Sequence, residues 1–254
     1  MSVIKIMLDP GHGSGKSHNR GFRTVKGFEQ YSNEGDANFI FCSKHLKPAL
    51  ERAGFTVGMT RSKITDNPSL AARGKMAKGY DILLSSHTNA GGASGVEIFD
   101  STNPKESIKP LTDLICATTS RTLGVPNRGT KYRKQSNGSN YYGVLRNGLA
   151  KRNFIVEWVF HDNLQDATKY VNNMELLANN VAEAMAKYYN IKVETPKETP
   201  KETPKDPPKE QFEWSEEAVK WAIDNGITDG SRLQDSCTRE EVITMIHRAV
   251  NEKK

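Results

Sequence analysis

The sequence comprises 254 residues, of which 36% are hydrophobic and 26% charged, and its formal charge is +6. No apolar run reaches the roughly 18 residues that a membrane span needs, and the first residues lack the basic leader and apolar stretch of a signal peptide, so we expect a soluble chain made in the cytoplasm. Residues 1–193 hold 26 basic against 16 acidic side chains, which favours an anionic partner such as nucleic acid, anionic lipid or a phosphate-rich wall polymer.

Short β-rich runs alternate with helical patterns over the first 190 residues. The runs predict strands over 3–9, 55–60, 81–87, 96–100 and 153–160, and helices over 34–53, 105–123 and 163–189. Pro48 should bend the first helix, and Gly54 should end it. This alternation predicts an α/β sheet covered by helices.

A spacer separates this region from the end of the sequence. Residues 194–205 repeat Glu-Thr-Pro-Lys three times, and the segment 194–210 contains five of the eleven prolines. We therefore predict an extended, semi-rigid linker between a domain over 1–193 and a module over 211–254. The module predicts two helices, over 214–225 and 238–251, and is small enough that packing against a second copy of itself is an open alternative.

Two histidines stand where predicted strands end. His12 follows the first strand within Asp-Pro-Gly-His-Gly, and His87 ends the run over 81–87. Because strand ends of an open α/β sheet converge on a ligand crevice, this pair favours a metal site. A phosphate-binding loop around Gly15-Lys16-Ser17 competes with it, but the first glycine of that pattern is missing and no helical period follows.

Carboxylates complete this hypothesis. Glu34, at the start of the first predicted helix, is the best third ligand, with Glu29 and Asp36 as competitors. Glu157 is a lone carboxylate on an apolar strand, where burial would raise its pKa toward the range of a general base. Structural roles are predicted for the four other histidines, His18, His45, His161 and His247, and for Glu97. Cys42, Cys116 and Cys237 are predicted to be reduced thiols.

These motifs together resemble the Amidase_3 family of zinc N-acetylmuramoyl-L-alanine amidases. The resemblance covers about residues 3–190 and rests on Asp-Pro-Gly-His-Gly, Ser-Ser-His-Thr-Asn-Ala, Gly-Val-Glu and Val-Glu-Trp-Val-Phe-His-Asp-Asn. It implies a twisted mixed β-sheet flanked by helices and one zinc ion. It also implies His12, Glu34 and His87 as metal ligands and Glu157 as the catalytic carboxylate. The reaction implied is hydrolysis of the amide between N-acetylmuramic acid and L-alanine in peptidoglycan.

Two further segments suggest contacts with the wall. The stretch 128–146 is rich in basic and aromatic residues, and either grips an anionic glycan or forms a solvated loop. Residues 211–254 resemble one S-layer homology motif, a small all-α module that binds anionic secondary wall polymers. Within it Trp214, Trp221 and Arg239 are the candidate wall contacts. The motif is present once, and the usual Phe-x-Pro is replaced by Leu-Gln-Asp-Ser.

The combined hypothesis is a two-domain peptidoglycan amidase. Its partners would be peptidoglycan and an anionic wall polymer, with no nucleic acid and no membrane insertion. The missing leader fits a phage endolysin that is made in the host cytoplasm and reaches the wall after holin-type release. The alternatives are a bacterial autolysin with the same activity, a non-catalytic wall-binding protein, and a nucleotide-dependent enzyme.

Overall fold

The computed structural model describes two parts of the chain. The described residues are 3–13, 22, 25, 26, 31, 33–191, 214–227, 243, 244, 246 and 247. The chain divides into the units Met1–Glu194 and Thr195–Lys254. The predicted linker and the candidates His18, Glu29, Cys237 and Arg239 lie outside the described residues, as do Gly15, Lys16 and Ser17 of the competing phosphate-loop hypothesis.

A six-stranded sheet forms the centre of the first unit. Its strands are β1 (Lys5–Pro10), β2 (Thr56–Met59), β3 (Ile82–Asn89), β4 (Val96–Asp100), β5 (Asn127–Lys131) and β6 (Arg152–Phe160). The spatial order is β2-β1-β3-β6-β4-β5. The pairs β1/β2, β1/β3, β3/β6 and β4/β5 are parallel, whereas β4 runs antiparallel to β6. The predicted mixed sheet is confirmed, and each of the five predicted strands is present.

Helices cover the sheet. They are α1 (Glu34–Ile40), a π-helical segment (Phe41–Leu46), α2 (Lys47–Arg52), α3 (Leu70–Met76), α4 (Lys109–Leu123), α5 (Gly143–Arg146), α6 (Leu164–Asn172) and α7 (Met174–Tyr188). The helix predicted over 34–53, with a bend at Pro48, is present as three consecutive segments. The wider π-helical turn directly precedes Pro48, which has no N–H to donate. The helix predicted over 163–189 is two helices that meet at Asn173.

The central strands β1, β3, β6 and β4 are buried on both faces, whereas the edge strands β2 and β5 are partly exposed. Along β3, Ile82 and Leu84 belong to the main core under α1, α2, α4 and α7, while Leu83 belongs to a smaller cluster with Val144 and Leu145 of α5. Strands β1 and β6 alternate in the same way, since successive side chains of a strand point to opposite faces. The smaller cluster, on the face of α3 and α5, lies on the side of the sheet that also carries the candidate site.

The second unit contains helix α8 (Trp214–Asp224), which confirms the helix predicted over 214–225. Residues 243, 244, 246 and 247 are also helical, and the rest of the helix predicted over 238–251 lies outside the described residues. None of the described helices combines the length and apolarity that crossing a membrane requires.

Candidate metal centre and active site

The candidate site lies at the carboxyl ends of three neighbouring parallel strands. Residues Pro10 of β1 and Ser86 of β3 are register partners, and His87 of β3 lies opposite Glu157 of β6. His12 follows β1 by two residues. Parallel pairing therefore brings three distant chain segments to one edge of the sheet, as expected for a ligand crevice in an α/β fold.

The loop that carries His12 is held in an uncommon conformation. His12 has φ +58°, in the left-handed region that non-glycine residues seldom adopt. Its carbonyl oxygen accepts hydrogen bonds from Arg61 Nη1 at 3.5 Å and Arg73 Nη1 at 3.2 Å, and the Gly11 N–H donates to the Ser86 carbonyl at 2.8 Å. The two guanidinium groups thus fix a turn that its flanking glycines would leave free.

A buried polar network supports the same loop from below. The carboxylate of Asp9 accepts hydrogen bonds from Thr60 Oγ1 at 2.7 Å and from Ser85 Oγ at 2.6 Å, and it lies 3.5 Å from Arg73 Nη1. Asp9 and Ser85 are fully buried. Because the charge of Asp9 is both paired and hydrogen-bonded, the network fixes β1, β3 and α3 beneath the site.

Glu34 is the first residue of α1 and points into the site. The side chain of Asn33 caps this helix by accepting from the Asp36 N–H at 2.9 Å, and it donates to the Asp36 carboxylate at 2.6 Å. Asp36, the predicted competitor for the ligand position, is therefore engaged in the cap. Glu34 is 3% exposed, and its Oε1 accepts from the Thr88 N–H at 3.2 Å.

The two imidazoles and the Glu34 carboxylate form one cluster. His12 Nε2 lies 3.1 Å from Glu34 Oε2, and His87 Nδ1 lies 3.0 Å from Glu34 Oε1. One ligand atom from each residue lies within 4.8 Å of the other two. Burial alone would raise the pKa of Glu34, but the hydrogen bonds and charges of His12 and His87 outweigh it and lower the pKa, so the carboxylate is ionised. Two nitrogens and one carboxylate oxygen at these separations fit the donor set of a catalytic zinc site.

Glu157 lies beside this cluster without belonging to it. Its side chain is 9% exposed, and Oε2 has no hydrogen-bond partner among the described residues. Burial raises the pKa of Glu157 to about 8, helped by the negative charges of Glu34 and Glu97 and opposed by His87. A carboxylate that is not tied up in hydrogen bonds and has a raised pKa is suited to moving protons.

His161 is a site neighbour that the sequence did not single out. It is fully buried, its Nδ1 lies 3.0 Å from the Thr88 carbonyl oxygen, and the same nitrogen is 3.9 Å from Glu34 Oε2. The assigned structural role fits this packing, but the residue also lines the cleft. A clue was present in its place four residues after Glu157 on the same segment.

Glu97 has the structural role that the sequence predicts. Its Oε2 accepts from Arg128 Nε at 2.6 Å and from Lys131 Nζ at 2.5 Å, and its Oε1 accepts from Asn89 Nδ2 at 2.8 Å. Burial would raise the pKa of Glu97, but the two cations outweigh it and lower the pKa. The charge of Glu97 is thereby neutralised next to Glu157, its register partner across β4 and β6.

A cleft of about 650 Å³ opens over the cluster. Its walls come from the loop before α3, the end of β3, and the segment that leads into α5; the lining residues are His12, Gly13, Glu34, Asn67, Pro68, Ser69, Leu70, Arg73, His87, Thr88, Asn89, Ala90, Arg133, Tyr141, Tyr142, Gly143, Val144, Glu157 and His161. The stretch 128–146 is therefore no simple solvated loop: it begins in β5, ends in α5 and contributes one wall.

The candidate wall contacts of the second unit are only partly described. Trp221 lies on α8 with 55% of its surface exposed, where a partner can reach it. Nothing is described of the Trp214 side chain, and Arg239 lies outside the described residues. The proposed wall-binding role of all three stays a prediction.

Most of the first unit matches a known family model. Residues 6–187 match Amidase_3, described as N-acetylmuramoyl-L-alanine amidase. This range contains the three residues of the cluster, His12, Glu34 and His87, and also Glu157. A search of the curated proteins found no match.

Solved structures show the same fold. Cwp6 from Clostridium difficile is 25% identical with a TM-score of 0.61; the match covers 75% of this chain but 30% of Cwp6. An N-acetylmuramoyl-L-alanine amidase from Clostridium difficile 630 is 21% identical over 75% of this chain and 98% of its own, with a TM-score of 0.60. The catalytic domain of CwlV, an N-acetylmuramoyl-L-alanine amidase from Bacillus (Paenibacillus) polymyxa, is 20% identical over 75% of this chain and 100% of its own, also with a TM-score of 0.60.

Proposed function

The chain belongs to the Amidase_3 family of N-acetylmuramoyl-L-alanine amidases, and from that membership we propose how it cleaves the amide between N-acetylmuramic acid and L-alanine in peptidoglycan. We propose that His12, Glu34 and His87 hold one zinc ion and that Glu157 moves the protons of the reaction. The observation that carries the proposal is the convergence of these ligand atoms within 4.8 Å of one another at the edge of the cleft.

The donor set suits zinc in kind as well as in spacing. Imidazole nitrogens and a carboxylate oxygen are ligands that zinc takes in hydrolases, and three protein ligands leave a position for a small molecule. When bound, zinc supplies a Lewis acid that polarises the scissile carbonyl and makes the attacking water more acidic.

Glu157 supplies the proton transfers. As a carboxylate it accepts a proton from the attacking water, and as a carboxylic acid it returns a proton to the departing amine of L-alanine. Each transfer leaves the side chain ready for the other, so one residue serves as base and then as acid. Its burial and its unpartnered Oε2 support this role, because no hydrogen bond must break before the proton moves.

The rest of the chain suggests how the enzyme meets its substrate. We propose that residues 194–210 tether the catalytic domain to a wall-binding module over 211–254 that binds an anionic wall polymer. A tether raises the local concentration of enzyme on an insoluble substrate. We further propose that the protein is a phage endolysin released through a holin, with a bacterial autolysin as the alternative origin.

Digestion of purified wall tests the reaction. The full chain should release new L-alanine amino termini and no new reducing sugars. The Glu157→Gln variant should release L-alanine amino termini far more slowly than the parent. Metal analysis should find one zinc per chain. New reducing ends would indicate a glycosidase, and wall binding without any new end group would indicate the non-catalytic alternative.

A further inference from the structure

Arg133 stands at the cleft with its charge uncompensated. Its guanidinium carbon lies 3.7 Å from the centroid of the Tyr141 ring and 6.0 Å from that of Tyr142. All three side chains line the cleft that contains Glu157. Two tyrosine rings thus lie against one cationic group in the wall of this cleft.

The neighbouring cations are neutralised, whereas Arg133 is not. Arg128 and Lys131 both pair with Glu97, and Arg73, the other arginine of the cleft, lies 3.5 Å from Asp9. Among the described residues, no carboxylate lies within ion-pairing distance of Arg133. Arg133 is exposed, so its contacts with the two tyrosines contribute little to the stability of the fold. Its free positive charge is better explained by binding of an anionic ligand than by a role in folding.

We infer that Arg133 binds a carboxylate of the substrate's peptide, an inference that rests on the proposed amidase function. A guanidinium stacked by its face keeps its N–H edge available, and this edge matches the two oxygens of a carboxylate. In peptidoglycan the residue after L-alanine is a glutamyl unit whose α-carboxyl group is either free or amidated. This carboxyl group lies within two residues of the scissile amide, a span of at most about 7 Å, and Arg133 lines the same cleft as Glu157.

Arg133 is accordingly a specificity-determining residue for the free carboxylate form of the stem peptide. The test compares two muropeptides that differ only in whether this carboxyl group is free or amidated. The variants are Arg133→Met, Arg133→Lys and the matched control Lys134→Met, which removes the adjacent exposed cation that does not line the cleft. Each enzyme is assayed for kcat and KM by the L-alanine amino termini that it releases.

Arg133→Met should lower kcat/KM on the carboxylate substrate by roughly 10- to 100-fold, mainly through KM, because a charge-assisted hydrogen bond is lost. For the amidated substrate, kcat/KM should change by no more than about 2-fold, since a neutral amide forms no ion pair with Arg133. Arg133→Lys should restore part of the loss, and Lys134→Met should match the parent. Titration of both muropeptides into Glu157→Gln, with and without Arg133→Met, should show the same selective loss in Kd without turnover.

Equal losses on both substrates would mean that Arg133 only supports the tyrosine wall, and no loss on either would remove it from the site; both results overturn the inference. These failures are distinct from failure of the proposed function, in which the parent chain itself releases no L-alanine amino termini from wall or muropeptide.

Discussion

Replacing Gly11 with alanine should impair metal binding far more than it impairs folding. Gly11 lies between β1 and His12, and a Cβ built there would lie 2.2 Å from His87 Nε2 and 2.3 Å from His87 Cε1. Both distances fall far inside van der Waals contact. The new methyl group therefore meets the imidazole ring of a proposed ligand directly.

The size of the effect follows from this overlap. Ordinary contact needs about 3.5 Å between such atoms, so the ring must retreat by roughly 1 Å or the loop must shift by a similar amount. Overpacking of this kind costs about 1–3 kcal/mol in stability. Zinc sites tolerate ligand shifts of only about 0.2 Å, so we expect zinc affinity to fall by at least about 10-fold.

Gly148→Ala is the matched control. A Cβ there would lie 2.4 Å from Asn153 Oδ1, an equally close approach, but at the amino end of β6 and away from the proposed ligands. Zinc affinity is measured by competition with a chromophoric chelator, and stability by thermal unfolding of the metal-free proteins. Gly11→Ala should lose affinity and Gly148→Ala should not, at similar losses of stability.

Parent-like zinc affinity in Gly11→Ala would refute the reasoning, because His87 could then move aside without consequence for the metal. The same conclusion would follow if both variants lost affinity equally. In that case general destabilisation, and not the position of His87, would control binding.

Three further changes probe other parts of the proposal. Glu157→Gln should lower kcat by roughly 10²- to 10⁴-fold while zinc content stays near one per chain, measured by wall digestion and metal analysis. A chelator should abolish wall lysis, and added zinc should restore it; lysis that continues in metal-free protein would contradict the zinc assignment. Removal of residues 194–254 should leave kcat on small muropeptides within about 2-fold but weaken sedimentation with intact wall, and unchanged sedimentation would remove the targeting role from the second unit.

Much of the sheet could be predicted because its central strands are buried on both faces. Runs such as Ile82 to Leu84 are apolar without interruption, and such runs between turn signals indicate central strands. Strand β5, Asn127–Lys131, was not predicted because it contains no apolar side chain. Its place depends on pairing with β4 and on contacts with α4, which no local pattern contains.

The residues of the candidate site also differ in how far the sequence alone could predict them. His12 and His87 could be found because both stand at strand ends, where the topology itself brings them together. Glu34 was the best third ligand by its place at the start of the first predicted helix, but only the structure shows that its competitor Asp36 is engaged in the cap with Asn33. Arg133 stood within a basic, aromatic stretch, but its free charge is visible only once Glu97 is seen to neutralise its neighbours.

The sequence around His12 also explains why the site needs support from elsewhere. Gly11 allows His87 to approach the backbone, and a Cβ at Gly13 would lie 2.0 Å from Asn67 Oδ1, so both positions demand glycine for close packing. Glycine pairs also give a loop the freedom that a metal ligand cannot have. Arg61 resolves this conflict by donating to the carbonyls of His12 and of Gly35, the residue after Glu34. One buried guanidinium thereby couples the segments of two proposed ligands, so that the site's geometry depends on a residue that is not itself one of those ligands.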